Sequence, residues 1–83
     1  MNKINYTVQY SSVINMLATE LKRQGIPLAE DEELRYNIIS ESATQICYAN
    51  NFTDIQECVD EIKQYIADSQ QNYPNWFLTG EDK

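Results

Sequence analysis

The sequence predicts an all-α fold, a small three-helix bundle with an aromatic C-terminal tail. Three observations carry this. Apolar residues recur at helical spacing over most of the chain. Only two glycines and two prolines interrupt 83 residues. The predicted helix ends coincide with capping or stop signals. The core of the prediction is an antiparallel helical hairpin over residues 31–70, folded about the turn Asn50-Asn51-Phe52-Thr53, with an N-terminal helix against it.

The second arm of the hairpin has the plainest pattern. Ile55, Cys58, Val59, Ile62, Tyr65 and Ile66 form one helical face, with Asp60, Glu61, Lys63, Gln64 and Asp68 opposite. Thr53 with Gln56 three residues later fits a capping box, and Asp54 and Glu57 suit the positive end of the helix dipole. The predicted helix runs over 54–70. Its pattern fades at Asp68-Ser69-Gln70-Gln71-Asn72, and Tyr73-Pro74 should stop it.

The first arm, over 31–50, is apolar on a wider arc: Leu34, Tyr36, Ile38, Ile39, Ala43, Ile46, Cys47 and Ala49. A helix apolar on more than one side is usually packed on more than one side, so this one should lie centrally. The run Glu30-Asp31-Glu32-Glu33 precedes it. Carboxylates at a helix start are stabilised by the dipole, and Asp31 can serve as the cap. Four acids in a row exceed what capping needs, which makes the run a candidate partner-facing patch as well.

The N-terminal helix is expected over 7–24. Its stripe is Tyr6, Tyr10, Val13, Ile14, Leu17 and Leu21. Residues 4–10 also alternate apolar and polar as a half-buried strand would. The alternative is therefore a short N-terminal extended arm, with the helix starting at a Ser11 or Ser12 cap. Gly25, Ile26 and Pro27 mark a Schellman-type end near Gln24. Beyond the hairpin, Trp76 and Phe77 form an aromatic tail. It should fold back to plug the bundle, while the sharper reading makes it an exposed anchor for a partner. The last residues, from Gly80 on, are expected to fray.

Composition bounds the function. At 83 residues, 42% hydrophobic and 23% charged, the sequence reads as one small globular domain spanning 1–83. No apolar run approaches the roughly 18 residues needed to cross a bilayer, and the first residues lack a secretory pattern, so a cytoplasmic location is expected. The net charge is −7, with the excess of acids falling after residue 29. Direct binding to nucleic acid is not expected, since such affinity comes from cations on phosphates. Cys47 and Cys58 read as small buried thiols that an antiparallel hairpin could bring level; a disulfide is the sharper reading. With no histidine, neither a cysteine–histidine nucleophile nor a complete zinc tetrahedron is available. Pairs such as Glu57 and Glu61 would lie on a solvated face, without the burial that shifts a catalytic pKa. The expectation is a non-enzymatic protein with no cofactor and no metal.

Interaction remains. In size and charge, though in no motif, the chain is similar to small acidic phage and mobile-element products that block host nucleases or polymerases. The expected function is an acidic inhibitor or modulator of a larger protein with a basic, nucleic-acid-binding surface. Its candidate partner-binding residues are Glu30, Asp31, Glu32, Glu33, Glu57, Asp60, Glu61 and Asp68, whose charges could imitate a nucleic acid backbone, with Trp76 and Phe77 as the aromatic anchor. The alternative is a structural or assembly protein that forms a homodimer through its apolar surfaces.

Overall fold

A computed structural model describes residues 10–49 and 54–81. Four helices follow in order: α1 (Tyr10–Arg23), α2 (Glu32–Ala49), α3 (Ile55–Asn72) and the single turn α4 (Trp76–Thr79). The described chain has no strand, and the protein is the all-α bundle its periodicity predicts. The expected turn at 50–53 lies outside the described residues, as do residues 4–9 of the ambiguous N-terminal segment. Tyr10 is already helical, which places Ser11 and Ser12 inside α1 instead of at its cap.

The ends are set by local bonds. Gly25 takes φ 71°, the Ile26 N–H donates to the Leu21 carbonyl at 3.1 Å, and the Gly25 N–H donates to Lys22 at 3.0 Å. That pair of bonds is the Schellman motif predicted from Gly25-Ile26-Pro27. Asp31 caps α2 by accepting from the Leu34 N–H at 2.9 Å. The cap of α3 is Asp54, which accepts from the Gln56 N–H at 3.1 Å, one residue later than the Thr53 expected; Thr53 lies outside the described residues. At its other end α3 runs to Asn72 before Tyr73 closes it.

Helices α2 and α3 run antiparallel. Gln45 bonds Tyr65, and Glu41 shares a cleft with Ser69, so partner numbers rise on one helix as they fall on the other. Their backbones approach each other at fewer places than either approaches α1, which packs against both. Val13, Leu17 and Leu21 of α1 are wholly buried. They meet Ile39, Ala43 and Ile46 of α2 and Cys58, Ile62 and Ile66 of α3 in one core. Tyr10 fixes the start of α1 on α2, its hydroxyl donating to the Ser40 carbonyl at 2.9 Å.

The tail closes the opposite side. Phe77 is 2% exposed and meets Tyr65 edge to face at 6.3 Å. Its carbonyl accepts from the Ala29 N–H at 3.1 Å, tying α4 to the connection before α2. The half-buried Trp76 donates its indole N–H to the hydroxyl of the buried Ser42 at 2.8 Å. Two expectations change here. The tail is a helical turn, ended by Gly80 at φ 78° with its N–H on the Trp76 carbonyl. Gly80 is also packed instead of frayed: a Cβ there would stand 3.3 Å from Ile38. Asp82 and Lys83 lie outside the described residues.

Candidate partner-binding surface

The acids of α3 are sorted by the way the helix docks. Burial of Cys58, Ile62, Ile66 and Ser69 turns the opposite side to solvent. Glu57, Asp60, Gln64 and Asp68 are exposed there, while Glu61 is half-buried at the edge. Two carboxylates are held in place: Gln56 Nε2 donates to Asp60 Oδ1 and Gln64 Nε2 to Asp68 Oδ1, each at 3.0 Å. Amide–carboxylate pairs four residues apart fix rotamers while leaving each carboxylate its other acceptor sites. At about 1.5 Å rise per residue, Asp60 and Asp68 stand roughly 12 Å apart along the axis. Lys63 is the one cation of α3. It lies toward α1, close enough to help lower the pKa of Glu20.

The second acidic segment serves structure first. Asp31 is the α2 cap, and Glu32 and Glu33 occupy its first turn, where the dipole favours them. Glu30, Asp31, Glu32 and Glu33 are all exposed. The nearby cation Arg35 is occupied with backbone, its Nη1 donating to the carbonyls of Ala29 at 3.0 Å and Glu30 at 3.3 Å. The guanidinium thus braces the connection and makes no ion pair with the run.

The aromatic pair divides. Phe77 belongs to the core and offers no surface to a partner, because Tyr65 and the α2 stripe enclose it. Trp76 stays half-exposed at the rim of a cleft of about 390 Å³ between α2, α3 and α4, lined by Glu41, Gln45, Ser69, Tyr73, Trp76 and Gly80. Sequence reasoning missed this cleft; its residues come from three separate segments, and only the docking of α4 assembles them. A second, apolar groove of about 260 Å³ lies between α1 and α3, floored by Met16, Val59 and Ile62.

Titratable groups elsewhere have structural explanations. Hydrogen bonds from Arg23 and Gln24 hold the Glu20 carboxyl at about 2, and Arg23 Nε donates to it at 3.1 Å. Cys47 and Cys58 are free thiols, both pushed up by burial; for Cys58 the neighbouring Cys47 adds to the effect. A thiol pushed up is a poor nucleophile at neutral pH. Burial raises the Tyr65 phenol, which donates to Gln45 Oε1 at 2.9 Å. Among the described residues no three His, Cys, Asp or Glu side chains gather as a metal site, and no helix is long and apolar enough to cross a membrane.

Comparison with protein-family models, curated proteins and solved structures finds no match to this chain.

Proposed function

We propose that the protein is a non-enzymatic binding protein, an acidic inhibitor or modulator whose α3 face occupies a basic, nucleic-acid-binding groove on a larger protein. The observation that carries this is the outer face of α3, where Glu57, Asp60 and Asp68 are exposed and two of the three are held by glutamines. Fixed carboxylates lose little side-chain freedom on binding, and a field of one sign steers a basic partner. Glu61 contributes from the edge, and the exposed Glu30, before α2, and Glu32 and Glu33, in its first turn, add to the negative charge of the molecule.

The test is capture from a lysate of the source organism, or of its host, at low and high salt, with the chain and a Glu57→Gln, Asp60→Asn, Asp68→Asn variant. The expected result is a nucleic-acid-binding protein, displaced by DNA and by salt, with affinity for the variant down roughly tenfold or more. Unchanged capture by the variant overturns the reading.

A second reading rests on exposed apolar groups. Tyr48 is 92% exposed and Ile55 57%, near the facing ends of α2 and α3, and Tyr36 is 58% exposed. A homodimer would cover such a surface. Sedimentation separates the two readings: a mass independent of concentration removes the dimer.

A further inference from the structure

The cleft under α4 is chemically unlike the α3 face and combines one carboxylate with two aromatic side chains. Glu41 lies in its wall, exposed and without an ion pair among the described residues. Tyr73 and Trp76 supply the aromatic walls. Two donors at the site are already used, the Trp76 indole N–H on Ser42 and the Tyr65 hydroxyl on Gln45 Oε1, while the Gln45 amide N–H groups and the Tyr73 hydroxyl stay available. Gln45 Oε1 keeps a second lone pair. No Lys or Arg lines the cleft. What meets a ligand is one carboxylate, neutral polar groups that can both donate and accept, and two aromatic rings, with no cation among them, a combination that favours an organic cation over an anion.

From this we infer that the cleft between α2, α3 and α4 is a binding site for an alkylammonium group, with Glu41 as the counter-ion and Tyr73 and Trp76 as the aromatic walls. Its volume of about 390 Å³ falls in the range of small-ligand sites and accommodates a short alkyl chain with its ammonium head. The site does not depend on charge mimicry, which uses the outer face of α3. A lysine side chain of a partner and a free polyamine present the same group, and the two sources are separable by experiment.

Trp76 is the single tryptophan of the chain and lies in the cleft wall, so its fluorescence reports on occupancy directly. The full chain is titrated with n-butylammonium, with n-butanol as the neutral analogue, and with sodium chloride at matched ionic strength. The proposal expects a saturable change with the ammonium alone, weakened roughly tenfold in Glu41→Gln, the size of one charge-assisted contact. Glu41 is exposed, and an unchanged far-UV circular dichroism spectrum confirms that the variant folds. A Glu57→Gln control on the outer α3 face should bind n-butylammonium like the parent. Equal binding of butanol, equal affinity in Glu41→Gln, or no saturable change overturns the proposal. Tighter binding of tetralysine than of spermidine identifies a partner's lysine as the source; the reverse identifies a free polyamine.

Discussion

Helices α2 and α3 are each eighteen residues long, yet they solve the burial problem differently. In α3 the apolar residues keep to one side and the helix docks by it, with only Ile55 of the first turn left 57% exposed, while the opposite side turns Glu57, Asp60 and Asp68 to solvent. In α2 they spread around the axis. The helix meets α1, α3 and α4, burying Ile38, Ile39, Ser42, Ala43 and Ile46 while Tyr36 and Tyr48 stay in solvent. A helix with one docking direction can be read from its stripe, because hydrophobic burial sorts its residues into two classes. A helix with three neighbours cannot, because each neighbour claims part of the surface and the remainder is wet whatever its chemistry.

The strongest way to break this comparison is to remove the group that gives α2 its extra neighbour. Phe77→Ala should cost about 3–5 kcal/mol of unfolding free energy in urea denaturation, since it empties the contact between α4 and the core. A loss below about 1 kcal/mol would show that α2 and α3 stand without α4. Next come the two glycines with positive φ. Gly80→Ala and Gly25→Ala both force a left-handed alanine at about 1–2 kcal/mol. Only Gly80 also presses on Ile38 of α2, whereas nothing lies within 4 Å at Gly25. Thermal melts should therefore rank Gly80→Ala as the more damaging.

The caps sharpen the comparison at a smaller scale. Asp54→Ala removes the side-chain acceptor at the start of α3 and should cost about 1 kcal/mol. Hydrogen exchange should show the loss as faster exchange in the first turn of α3, with α2 unaffected. On α1, the folded Glu20 carboxyl at about 2 lies below its ordinary 4.5. The stability it contributes is full above about 4.5 and fades as pH falls toward 2. Glu20→Gln should therefore flatten part of the acid limb of a pH–stability curve and change little at lower pH. The smallest effect belongs to Tyr48→Ser. An apolar position of α2 that is 92% exposed should tolerate it within about 0.5 kcal/mol in urea denaturation. A larger loss would mean that Tyr48 is covered in solution, as the dimer reading requires.

Residue identity alone was enough for the helical class, the wet side of α3, the end of α1 at Gly25 and the cap at Asp31. Each of these depends on bonds or spacings within a few residues: a left-handed glycine, a carboxylate three residues before an N–H, a repeat of three to four. Contacts between segments decided the rest. Trp76 and Phe77 are adjacent and both aromatic, yet one is half-buried with its N–H on Ser42 and the other lies in the core with its ring against Tyr65. Gly80 looked like the start of a loose end and became a packed cap because Ile38 lies against it. The cleft lined by Glu41, Tyr73 and Trp76 has no local signature, since its walls come from three helices that meet only when the hydrophobic core closes.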